Sequence, residues 1–258
     1  MIEIALEPTT WLVLCSAALA AGFIDAVAGG GGMLTVPALL TAGLPPHLAL
    51  GTNKLAASFG SFTASFTYYK KKLFNPRFWL VSACATALGA ILGTLVVDFL
   101  TQDFLNLLIP IVIICVAVYS LLNKNQFAEN MQLPEPSSQL KVKQTWQGLT
   151  IGFYDGVAGP GAGTFWTASN SFLYKMGILL NCGLARSMNF ISNVVSLATF
   201  VVLGHVHFML GLTMGAFIML GAWIGAHSAI KFGSKLIKPV FNTVVIVLAI
   251  KLIFDVYA

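Results

Sequence analysis

Residues Gly22 to Ser58, GFIDAVAGGGGMLTVPALLTAGLPPHLALGTNKLAAS, decide how the whole chain is read. They set one acid (Asp25), four consecutive glycines (Gly29, Gly30, Gly31, Gly32), a proline (Pro37) and a lysine (Lys54) into otherwise apolar sequence. Lipid cannot satisfy the backbone N–H and C=O groups that a broken helix releases. Breaks at membrane depth therefore survive only where protein or a polar cavity surrounds them. An ionisable side chain at that depth costs about 2.5–3.5 kcal/mol on insertion scales, and it faces a partner or a pathway. The stretch has the character of a transport site.

A second copy follows. GFYDGVAG, from Gly152, matches GFIDAVAG at six of eight positions, 130 residues on. LGAILG (Leu88 to Gly93) returns as LGAWIG (Leu220 to Gly225), 132 residues on. Between them, GTNKLAAS aligns loosely with RSMNFISN (Arg186 to Asn193), which sets Asn189 against Lys54. Three blocks in one order argue for duplication: a first membrane repeat over 1–122, a cytoplasmic linker over 123–145 and a second repeat over 146–258.

Apolar residues make up 57% of the chain and charged ones 9%, against about 25% charged in ordinary soluble domains. That selects an integral membrane protein. The net charge of +5 does not point to nucleic acid, because the lysines sit at segment ends, where membrane topology explains them. Cys15, Cys84, Cys115 and Cys182 lie in or beside apolar runs without paired spacing, and are expected to be buried free thiols. The acidic N-terminus, MIEIALEPTT, does not have the form of a cleavable signal.

Hydrophobic segments fall at about 11–28, 33–44, 48–69, 78–100 and 104–122, then at 146–158, 163–175, 183–204, 208–231 and 239–257. The expected fold is an all-α integral membrane protein, a polytopic bundle of two inverted repeats with ten hydrophobic segments, equivalent to about 8 full-length spans. Segments 33–44, 146–158 and 163–175 are too short to cross. The first two segments of each half therefore read as half-helices or a re-entrant hairpin. Five segments per half with the N-terminus outside put Lys70, Lys71, Lys72, Arg77, Lys124, Lys141, Lys143, Lys175, Arg186, Lys231, Lys235 and Lys238 on the cytoplasmic side. Glu3, Glu7, Asp98, Asp103 and Asp255 fall on the other. An odd count inverts the second half, as in many secondary transporters. The GxxxG pairs Gly89/Gly93 and Gly221/Gly225 suit close helix packing, Pro110 a kink and Pro239 a first helical turn.

The site should form where the two breaks meet segments 48–69 and 183–204. Glycine turns expose N–H groups, and a helix starting after the turn directs its positive end there, which suits an anion. The candidate binding residues are Gly29, Gly30, Gly31, Gly32, Thr52, Asn53, Lys54, Gly159, Gly161, Arg186, Asn189 and Asn193; Asp25 and Asp155 are candidates for coupling or gating. Lys54 either attracts the anion or pairs with Asp25. An acid beside a lysine stays ionised, whereas one facing an amide is freer to take a proton. This makes Asp155 the expected proton-coupling position and Asp25 the anchor, unless Arg186 pairs with Asp155. His47, His205 and His207 read as interfacial residues without a metal role. Neither a metal nor a cofactor is expected, nor is an enzyme: the chain has no Walker loop, GxSxG or HExxH.

GFIDAVAGGGGMLTVPALL followed by ALGTNKLAASFGS resembles the TauE/SafE sulfite exporter family, also called the 4-toluene sulfonate uptake permease family. GFYDGVAGPGAGTFW and the stretch from Arg186 to Asn193 are similar to it as well. The resemblance covers nearly the whole chain. It implies a permease of the bacterial inner membrane for sulfur-containing anions such as sulfite or sulfonates, with the lipid bilayer and a small anion as partners. Substrate, direction, coupling ion and oligomeric state stay open. Two other classes remain: a transmembrane thiol-redox conduit, and a structural or assembly protein without flux.

Overall fold

The computed structural model describes residues 7–122, 132–237, 239–240 and 243. Among them the chain is helical, with α1 (Pro8–Ala28), α2 (Gly32–Thr41), α3 (Pro46–Lys70), α4 (Leu80–Asp98) and α5 (Gln102–Leu122) in the first half. The second half has α6 (Ser138–Val157), α7 (Ala162–Tyr174), α8 (Ile178–Val202) and α9 (Phe208–Phe232). Most of the tenth apolar segment, 239–257, lies outside the described residues, so the reading of Pro239 as its first turn rests on sequence. α5 runs through Pro110.

Two expectations are corrected. The first segment of each half is a full-length helix, not a half-helix: α1 has 21 residues and α6 has 20. Only α2 and α7, with 10 and 13 residues, are too short to cross a core of about 30 Å at about 1.5 Å per residue. The start of α6 was masked by its polarity. Ser137 caps it, accepting a hydrogen bond from the Leu140 N–H at 3.1 Å. Its polar residues then turn inward: Gln147 donates to Ser169 and Asn170 and accepts from the Tyr174 hydroxyl. The helical part of the expected linker, 138–145, therefore belongs to the bundle.

Packing is arranged for lipid. Four described helices, α1, α4, α8 and α9, are long and apolar enough to cross a membrane. α4 and α9 turn Leu88, Leu92, Leu95, Leu212, Leu220 and Trp223 outward and bury small residues instead. Without a hydrophobic force between helices in lipid, close backbone approach has to supply the contact. Gly89 and Gly93 of α4 lie on the Leu149 and Phe153 carbonyls of α6, where an added Cβ would collide. Gly221 and Gly225 of α9 lie likewise on the Leu19 and Phe23 carbonyls of α1. So α4 packs on α6 and α1 on α9, while α3 and α8 cross in the middle. These two central helices bury most of the polar residues, including Asn53, Lys54, Arg186, Asn189 and Asn193.

The cysteine expectation holds for Cys182, which is buried; Cys15 is partly buried, and Cys84 and Cys115 are exposed on the bundle surface. All four are free thiols. The lipid-facing positions of α4 accept a thiol as they accept any small apolar group.

Candidate functional site

The two breaks are made by backbone that only glycine adopts easily. α1 ends where Gly29 turns left-handed (φ 91°), and its N–H returns to the Ile24 and Asp25 carbonyls at 3.2 and 3.0 Å. α2 starts three residues later. The second break turns at Gly159 and Gly161 (φ 82° and 80°) on either side of Pro160, and α7 starts at once. The N-termini of the two short helices thus open on one small cavity between the breaks and the central helices. It has about 30 Å³ open to the centre of a water-sized sphere, room for about two waters.

Ten of the fourteen residues singled out from sequence line this cavity: Gly29, Gly31, Gly32, Asn53, Gly159, Gly161, Asn189, Asn193 and the two acids, Asp25 and Asp155. Thr35, Gly163, Ala57, Ala21 and Ile218 join them. Thr35 had no signal in the motif itself; its hydroxyl donates to Asn53 Oδ1 at 2.5 Å. Gly30, Thr52, Lys54 and Arg186 are not in the wall. Thr52 instead accepts a hydrogen bond from the His207 N–H at 3.0 Å, near the start of α3.

The charges pair across the halves, which rules out the Lys54–Asp25 pair that the sequence left open. Lys54 Nζ lies 2.7 Å from Asp155 Oδ1, and it also donates to the Asp155 carbonyl at 2.6 Å and to Asn193 Oδ1 at 3.3 Å. Ser192 Oγ donates to the other Asp155 oxygen. Arg186 belongs to Asp25: Nη1 lies 3.9 Å from Asp25 Oδ1 and donates to the Asp25 carbonyl. Nη2 donates to the Gly163 carbonyl at 3.2 Å and to Thr167 Oγ1 at 3.1 Å. The guanidinium therefore ties the end of α1 to the start of α7, behind Gly29 and Gly163. It is fully buried, so Arg186 also drops out of the count of cytoplasmic loop charges.

By helix register, the position that matches Lys54 is Arg186, not Asn189. α3 and α8 both have 25 residues, and each begins eight residues before its cation. That spacing of 132 is the one LGAILG and LGAWIG already carry. The premise that made Asp155 the freer acid thus falls: Asp155 is the tightly held one. Asp25 accepts only longer bonds, from the Gly31 N–H at 3.3 Å and from Asn189 Nδ2 at 3.4 Å.

At one end of the central helices His205 Nε2 meets Asp98 Oδ1 at 2.9 Å, and the His47 ring tilts over His205 at 5.0 Å. His207 accepts from the Leu210 N–H and caps α9. No group of three metal-ligating side chains of His, Cys, Asp or Glu type occurs among the described residues.

Residues 14–252 match the sequence profile of the family described as "Sulfite exporter TauE/SafE". The chain belongs to this family. Among curated relatives of this TauE/SafE protein, one from Sinorhizobium sp, named "Probable membrane transporter protein ORF9", is 40% identical over 243 residues, covering 93% of this chain and 90% of the relative. "Probable membrane transporter protein YfcA" of Escherichia coli K12 is 35% identical over 243 residues, 94% of this chain and 89% of the relative. A "Probable membrane transporter protein" of Haemophilus influenzae is 33% identical, covering 94% of each. No solved structure matches the chain. Family and relatives make this TauE/SafE chain a multi-pass bacterial membrane transporter, not an enzyme.

Proposed function

We propose that the chain is a secondary transporter for a small anion with a sulfur oxyanion head, such as sulfite or an organosulfonate, and that the central cavity is its binding site. One observation supports this above the others: the N-termini of α2 and α7 open on the same cavity. Each helix brings unpaired N–H groups and a partial positive charge to that end, and such ends bind oxyanions. The two carboxylates in the wall do not cancel this field, because Lys54 and Arg186 stand directly behind them. Asn53, Asn189 and Asn193 add amides able to donate to oxygen.

The reading extends to topology. The two halves would be inverted repeats, with residues 1–122 and 146–258 as the repeats, the N-terminus outside and the intervening linker cytoplasmic. A cavity between two broken helices at the repeat interface is the arrangement expected of such transporters. Saturable uptake of radiolabelled sulfite, thiosulfate or methanesulfonate into proteoliposomes is the expected result. Gly161→Val, which forces a β-branched side chain into a left-handed turn at the wall (φ 80°), should abolish it. Failure of all three anions to cross above the protein-free rate would overturn the reading.

A further inference from the structure

Four charges surround the cavity, and their partners are unequal. Asp155 is closed off: its side chain is 2% exposed, with Lys54 at 2.7 Å and Ser192 on the remaining oxygen. The Asp25 side chain is 16% exposed, and the nearest cation stands 3.9 Å away. Asp25 accepts one backbone N–H and one amide, at 3.3 and 3.4 Å. Both acids line the cavity, and among the described residues the charged groups facing Asp25 from the elements around it are Arg186 on α8, Asp155 on α6 and, through Asp155, Lys54 on α3. Among the described residues the other elements in the wall, α2, α7 and α9, present Gly32, Thr35, Gly163 and Ile218, none of which titrates in this range.

With both acids ionised and both cations charged, the centre is neutral. A monoanion arriving there adds one uncompensated negative charge beside two carboxylates in a medium of low dielectric, where such repulsion is strong. We infer that the anion enters together with one proton and that Asp25 is the group that takes it. This rests on the cavity being the anion site. A proton from solvent moves onto an Asp25 carboxylate oxygen. The Arg186 charge then lacks a counter-charge, and the incoming anion supplies it. The Gly31 N–H, at the start of α2 and now engaged by Asp25, is released to the anion, since a neutral carboxyl is the weaker acceptor. On the far side both leave, and the centre is neutral again. Linkage is reciprocal, so whatever makes the anion bind tighter when Asp25 is protonated makes Asp25 hold its proton tighter when the anion is bound.

Two readouts test this with sulfite and methanesulfonate as probes, the second because it stays a monoanion across the working range. Infrared difference spectra of the purified protein in lipid should gain the carbonyl band of a protonated carboxylic acid when either anion binds. The band should be absent in Asp25→Asn and shifted in Asp25→Glu. The half-saturating concentration of methanesulfonate should rise up to tenfold per pH unit above the titration of Asp25, and in Asp25→Asn it should stay flat between pH 6 and pH 8. Anion binding without a carboxylic acid band, or a band that survives Asp25→Asn, overturns the coupling while leaving the anion site standing. If neither anion binds, the anion site itself falls, and the coupling with it. Asp25→Glu keeps the inference open to test if Asp25→Asn fails to fold, because the band must still move with the longer acid.

Discussion

Lys54 is the residue whose environment says most about how the centre is stabilised. Its ammonium group is 2% exposed and has three acceptors, all from the second half of the chain. Removing one partner of a buried pair leaves the other charge uncompensated, at a cost of about 3–5 kcal/mol, whereas removing both leaves little to compensate. Lys54→Met alone should therefore lower the thermal unfolding midpoint of the purified protein sharply. Lys54→Met with Asp155→Asn should recover most of the loss, and Lys54→Met with Asp25→Asn should not. Recovery by the Asp25 double variant instead would mean that the pairs are assigned the wrong way round. The sequence shows Asp25, Lys54 and the glycines as exceptional, because charge and glycine runs stand out against apolar surroundings. It does not show who pairs with whom. Lys54 lies 29 residues from Asp25 and 101 from Asp155, and nearness along the chain favoured the wrong acid. Only the register of two equal helices exposes Arg186 as its counterpart.

Among the elements, the sharpest dependence is on the helix pairs α4–α6 and α1–α9. A side chain at Gly93 would run into the Phe153 carbonyl, and one at Gly221 into the Leu19 carbonyl. Backbone cannot yield as a flexible side chain can, so Gly93→Val and Gly221→Val should each destabilise by about 1–3 kcal/mol or more through overpacking. The two losses should be similar, measured as the fraction surviving a temperature ramp in detergent by size-exclusion chromatography. A neutral Gly93→Val would mean that the helices are not in backbone contact. The GxxxG spacing made these contacts readable, since nothing but close approach accounts for small residues on one face of a lipid-exposed helix. The start of α6 was not readable from hydropathy. Its first three turns carry Lys141, Lys143, Gln144 and Gln147, which look like linker until Gln144 and Gln147 are seen buried. The same polarity made a 20-residue helix look like a half-helix.

For the molecule as a whole, the distribution of basic residues predicts an orientation. Lys70, Lys71, Lys72 and Arg77, which end α3 and open the next loop, should share the cytoplasmic side with Lys141 and Lys143. In a cysteine-free background, a single cysteine at Thr10 should react with an impermeant thiol reagent in intact cells, and one at Glu135 should not. The reverse labelling pattern would overturn the topology. The crossed pairing of charges has a further consequence, in time. A ribosome adds about 5–20 residues per second, so Lys54 is made about 5–20 s before Asp155, which lies 101 residues later. Asp25 waits still longer for Arg186. During synthesis the first half must therefore be held with a bare lysine and a bare aspartate at membrane depth, and each can shelter only against the other or against water. The pairing of the finished protein is thus completed only once the second half has been made. Residues 1–122 produced alone should be cleared rapidly from the membrane in a pulse-chase experiment and should be rescued when residues 123–258 are made alongside. A long-lived first half on its own would show that nascent Lys54 needs no partner from the second.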